Sequence, residues 1–176
     1  MNVPKLEEKR ERSSLSGNRS IHILVVEDSA SDAALISKLL RGLGTKDFSI
    51  EVSVFSDGES AIDYLLNRSG TDSPIPAGII LDINLPKKSG FEVLSEMRKH
   101  SHLKAIPVFM LTTSRTHEDI LKSYSLDAVS FITKPSRLAD FEDVIKRFLA
   151  IELPRVLREP GNPPVVRDRT ERLPNE

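Results

Sequence analysis

Between Ser20 and Ile151 short aliphatic runs alternate with stretches whose apolar residues recur every three or four positions, a pattern of strands interleaved with amphipathic helices. Ile21 to Val26 (IHILVV) is almost continuously aliphatic, as suits a strand covered on both faces. Ser29 to Leu43 then places Ala33, Ile36, Leu39, Leu40 and Leu43 at helical spacing, with Ser29 and Asp32 as a start like a capping box and Gly42 and Gly44 near the stop. Ile50, Val52 and Val54 alternate with Glu51 and Ser53 ahead of an SDG turn, which predicts a half-covered edge strand. Ile62, Leu65 and Leu66 mark a second helix, followed by NRSGTDSPIPA, a long connection expected to be exposed. Gly78 to Ile83 (GIILDI) predicts a buried third strand, and Phe91, Leu94 and Met97 a third helix after an LPKKSG turn. Ile106 to Leu111 repeats the strand pattern, and a helix around His117 to Tyr124 carries Ile120, Leu121 and Tyr124. Ala128 to Ile132 forms a fifth strand, and Leu138, Phe141, Val144, Ile145 and Phe148 line a final amphipathic helix.

The predicted class is α/β: a (βα)₅ chain whose right-handed crossovers build a doubly wound parallel sheet covered on both faces, hence three layers. The ends differ. Residues 1–19 hold only Val3, Leu6 and Leu15 as aliphatic side chains, too few to offset the entropy of ordering them, so a disordered tail is expected. Residues 152–176 scatter Pro154, Pro160, Pro163, Pro164 and Pro174 among charges, a second tail that begins at most as an extension of the last helix. The folded unit is therefore placed at residues 20–151, and 176 residues in all suit one domain.

Composition removes several classes of function. With 25 basic against 26 acidic residues and a formal charge of -1, no positive excess favours nucleic acid. The absence of cysteine rules out disulfides, thiolate nucleophiles and cysteine zinc sites. No apolar run approaches the roughly 18 residues of a membrane span, and the N-terminus is charged where a signal peptide is apolar, so the expected location is cytoplasmic, with no membrane partner.

In open parallel sheets ligands collect beyond the carboxyl ends of the strands. Glu27 and Asp28 follow strand one, Asp82 lies near the end of strand three, Thr112 ends strand four and Lys134 follows strand five. Singly each has a bland explanation: an acid after a strand often caps a turn, and a lysine in a loop is often only solvated. Asp82 resists that account, because it interrupts an aliphatic run where packing alone would call for another Val or Ile. Three acids gathered at one buried edge need a cation, a proton or a lysine, and a divalent metal meets that need most simply.

At these positions the chain resembles the receiver domain of two-component response regulators. The resemblance spans Ile21 to about Leu149 and is carried by VVEDS (Val25 to Ser29), LDINLPKKSG (Leu81 to Gly90), MLTT (Met110 to Thr113) and FITKP (Phe131 to Pro135). Asp82 precedes Thr112 by 30 residues, and Thr112 precedes Lys134 by 22. The resemblance implies a flavodoxin-like sheet of strand order 2-1-3-4-5. It implies further that Asp82 accepts a phosphoryl group from a phosphohistidine of a sensor histidine kinase. Asp28, Asp82 and the backbone carbonyl of Asn84 would hold Mg²⁺, with Glu27 acting directly or through water, and Lys134 would contact the phosphoryl group. Thr112 and Phe131 correspond to the switch hydroxyl and the switch aromatic, although Phe131 also suits a plain core position. Pro135 matches the position of a cis peptide in the family. NLPKKSG, the long connection after helix two, LTTS and the short C-terminal extension resemble the single-domain subgroup that serves phytochrome-type kinases. A homodimer and an unidentified downstream protein are implied as partners. Lys87 and Lys88 could meet a kinase, but two lysines in a turn are usually only solvated. His22, His100, His102 and His117 show no metal-ligand spacing.

Two other classes compete. A phosphotransferase or phosphatase working through an aspartyl phosphate, of the haloacid dehalogenase type, needs an acid two residues after its nucleophile; here that residue is Asn84. A nucleotide or flavin binder needs a glycine cradle after strand one, where this chain has EDSAS. A signalling phosphoacceptor, not an enzyme, is therefore expected.

Overall fold

The computed structural model describes residues 19–46, 48–67, 75–113, 117–135 and 137–158. Five strands, β1 (Arg19–Val26), β2 (Phe48–Phe55), β3 (Gly78–Asp82), β4 (Val108–Thr112) and β5 (Ser130–Thr133), form one parallel sheet of order β2-β1-β3-β4-β5. The helices are α1 (Ala30–Arg41), α2 (Gly58–Leu66), α3 (Gly90–Lys99), α4 (Ser101–Lys104), α5 (His117–Ser125) and α6 (Leu138–Arg158).

Period-two alternation splits each central strand between two cores. Leu24, Val26, Ile79, Leu81, Val108 and Met110 pack with α2 and α3 through Ile62, Leu65, Leu94 and Met97. The intervening Ile23, Val25, Ile80, Phe109 and Leu111 pack with α1 and α6 through Ile36, Leu40, Ile145 and Phe148. Every residue of β3 and β4 is buried, whereas β2, at the sheet edge, leaves Glu51 and Val54 exposed. Three layers result, as expected.

The single turn α4 was not expected, because four residues are too short to show a helical period. The last helix runs on to Arg158, so the C-terminal segment does begin as an extension of it. The expected N-terminal tail, most of the long connection after α2 and the end of the chain lie outside the described residues. Among the described residues no helix is long and apolar enough to cross a membrane.

Arg98, near the end of α3, ties three segments together. Its guanidinium donates to the carbonyls of Leu126 (3.1 Å), Asp127 (2.9 Å), Lys104 (3.2 Å) and Ile106 (3.5 Å). These bonds hold the α5–β5 turn, where Asp127 sits at φ 57, against the α4–β4 turn. Arg98→Ala will strand these carbonyls and lower stability by about 2 kcal/mol in urea denaturation. Arg98→Lys will recover only part of the loss, since one ammonium cannot reproduce the planar fork.

Candidate functional site

Parallel pairing brings the strand ends side by side: Val26 pairs with Leu81, Asp82 with Leu111, and Thr112 with Thr133. Main-chain bonds extend the register just past each strand. Glu27 N–H donates to Phe55 O (2.9 Å), Ile83 N–H to Leu111 O (2.9 Å) and Lys134 N–H to Thr112 O (2.6 Å). The sheet therefore delivers Glu27, Asp82, Thr112 and Lys134 to one edge, all four buried. Asp28 stands beside them, exposed.

The Lys134 side chain crosses this edge. Its Nζ donates to Glu27 Oε2 and to Asp82 Oδ2, each at 2.5 Å, and lies 3.3 Å from Asp32 Oδ2. Asp82 Oδ1 accepts the Asn84 N–H at 2.9 Å, which fixes the carboxylate plane from the following loop. Ligand oxygens of Glu27, Asp28 and Asp82 lie within 4.8 Å of one another. Burial pushes the Glu27 carboxyl up to about 7 despite the lowering hydrogen bond from Lys134, and the neighbouring Asp82 charge adds to the rise. Burial alone would lower the Lys134 ammonium; its hydrogen bonds to Asp82 and Glu27 overcome that and raise it. The pocket thus holds more negative charge than one lysine can balance. Its hard oxygen donors suit a small divalent cation, and no soft sulfur or nitrogen ligand is present in the cluster.

The loop after Asp82 is held on two sides. A Cβ at Gly90 would come within 2.2 Å of the Asp82 carbonyl oxygen, so only glycine lets α3 begin this close to β3. A Cβ at Gly58 would meet Lys88 O at 2.1 Å. Between these two close approaches Lys87 adopts φ 64 and pairs with Asp57 Oδ2 at 3.1 Å. Asp57 also caps α2 through the Ser60 N–H at 2.8 Å, which holds its carboxyl below the usual carboxylate range.

Phe131 is half-buried in β5 and packs on the core beneath α2 and α3. No cis peptide bond occurs among the described residues, so the bond from Lys134 to Pro135 is trans, unlike the family position it matches; the two isomers of such a bond differ by only about 0.5–1 kcal/mol, and local packing decides between them.

Two participants escaped the sequence. Asp32 reads there as the partner of the Ser29 cap. Its N–H does donate to Ser29 Oγ at 3.4 Å, but its carboxylate turns to Lys134. Its place four residues after Asp28 was the available signal, one helical turn from an acid already under suspicion. Asp57 carried no signal beyond its SDG turn.

A model of the response regulator receiver domain family matches residues 23–146. Response regulator Rcp1 of Synechocystis sp. is 38% identical over 125 residues, spanning 70% of this chain and 83% of the relative. The crystal structure of its Mn²⁺-bound form superposes with a TM-score of 0.66 at 36% identity, over 74% of this chain and 93% of that one. The phosphorylated cyanobacterial phytochrome response regulator RcpA superposes with a TM-score of 0.68 at 35% identity, over 79% and 96%. A fold of this order, with an acidic edge of this make-up, is that of a signalling receiver domain. The chain belongs to the response regulator receiver family.

Proposed function

We propose that this protein is a response regulator that takes a phosphoryl group onto Asp82 from the phosphohistidine of a sensor histidine kinase and signals through protein contacts. The observation that carries this is the buried set of Glu27, Asp82 and Lys134 with Asp28 at its rim. An Asp82 carboxylate oxygen attacks phosphorus, the phosphorus–nitrogen bond of the donor breaks, and the imidazole leaves with the bonding pair. Lys134 follows the negative charge as it moves onto the phosphoryl oxygens, and the Asn84 N–H keeps the carboxylate aligned. Asp28, Asp82 and the Asn84 carbonyl, with Glu27 directly or through water, would hold Mg²⁺, which neutralises phosphoryl charge.

Once modified, Asp82 presents new acceptors to Lys134 and Thr112. Thr112 and Phe131 lie on β4 and β5, joined by the Lys134 N–H bond to Thr112 O, so a shift at one loop is felt at the other. The face around α5 and β5 is then the output surface, for a downstream protein or a second copy of the chain. The protein acts as phosphoacceptor rather than as a turnover enzyme, in the cytoplasm. The phytochrome assignment of RcpA supports a phytochrome-type kinase as donor. The rival dehalogenase-type enzyme lacks its second acid, since Asn84 occupies that place.

Thermal melts test the site. Mg²⁺ with beryllofluoride, each at about 100 times its dissociation constant, will stabilise the fold by at least about 2.7 kcal/mol, a rise of roughly 5 °C or more. No rise at saturation overturns the proposed site.

A further inference from the structure

Lys134 faces three acids. Glu27 and Asp82 accept its hydrogen bonds from within the pocket, and Asp32, 23% exposed, pairs with it from the first turn of α1 at 3.3 Å. We propose that Asp32 is a positioning residue that sets how tightly the site holds its phosphoryl group, by competing with that group for the Lys134 ammonium. This rests on Asp82 being the acceptor.

An ammonium has three N–H donors, no acceptor and a single positive charge to share among the anions around it. With Glu27 and Asp82 already hydrogen-bonded to it and Asp32 alongside, Lys134 must give up part of this set to reach a phosphoryl oxygen. Modification of Asp82 removes one competitor, because its carboxylate becomes an acyl phosphate. Glu27 is needed at the cation cluster. Asp32 remains beside the lysine, in the first turn of α1, where the helix N-terminus favours an acidic side chain. The Ser29 cap accepts the Asp32 N–H and so holds the backbone that carries the carboxylate beside the lysine. A nearby fixed anion both occupies Lys134 and repels a doubly charged group arriving a few ångströms away.

The test is a titration with beryllofluoride at saturating Mg²⁺ on the full chain, comparing the wild type with Asp32→Asn, Asp32→Ser and Asp32→Glu, each shown folded by circular dichroism. Asp32→Asn and Asp32→Ser will bind beryllofluoride at least threefold more tightly, while Asp32→Glu stays within twofold of the wild type. A purely structural role for Asp32 predicts loss of affinity, not gain. Unchanged or weaker binding by Asp32→Asn and Asp32→Ser overturns the role of Asp32 and leaves Asp82 as acceptor. Failure of the wild type to bind beryllofluoride overturns the proposed site and this inference with it.

Discussion

Asp82→Asn will take up no phosphoryl group from an autophosphorylated histidine kinase under conditions that label the wild type, a loss of at least about a thousandfold. The amide keeps the size of the carboxylate, and its single oxygen can still accept one of the two bonds, from the Asn84 N–H or from Lys134, so the substitution does not empty the pocket. What disappears is the anionic oxygen. Asp82 shares one lysine with Glu27, so removing its charge also relieves repulsion between two buried acids, and the variant is expected to melt no lower than the wild type. A dead but stable variant separates loss of the nucleophile from loss of fold. The measurement is retention of radiolabel after denaturation, with lability in mild base identifying an acyl phosphate. Equal labelling of both proteins would move the acceptor to Glu27, Asp28 or Asp32, the other carboxylates at the edge.

The fold was legible because each core strand is buried on both faces and each main helix is long enough to show its period. Ile21 to Val26 and Gly78 to Ile83 need no more than their aliphatic character, and β2 announces its edge position through Glu51. Strand order was not in the pattern and came only with the resemblance to a known family. At the site, Asp82 stood out because an acid inside an aliphatic run has no packing reason to be there. Asp32 and Asp57 did not, because an acid in a first helical turn or at an N-cap already has a sufficient local explanation. Their longer contacts, to Lys134 and Lys87, span separations that no local spacing encodes. The same holds for Gly58 and Gly90, whose need for a bare backbone appears only when the atoms they would strike, Lys88 O and Asp82 O, are in view.

Lys134→Met will be strongly destabilised, and the loss will depend on pH and on divalent metal. Methionine has much of the length of the lysine side chain but leaves Glu27, 1% exposed, and Asp82, 5% exposed, without their cation. Breaking a buried pair in this way costs about 3–5 kcal/mol when the remaining charge cannot be neutralised. It can be neutralised by a proton. Burial pushes Glu27 up to about 7 even with the Lys134 hydrogen bond in place, and removing that bond raises it further. A carboxyl raised on folding favours the native state at low pH, below its unfolded value of about 4.5. That contribution is lost as pH rises through the folded value, near or above 7. The gap between wild type and Lys134→Met is therefore smaller at pH 5.5 than at pH 8, as read from urea midpoints in metal-free buffer. Mg²⁺ at pH 8 will close much of the gap, because a cation in the oxygen cluster does for Glu27 and Asp82 what the ammonium did. A gap of equal size at both pH values, unmoved by Mg²⁺, would mean that the methionine is merely ill packed and that the lysine is not what balances these acids.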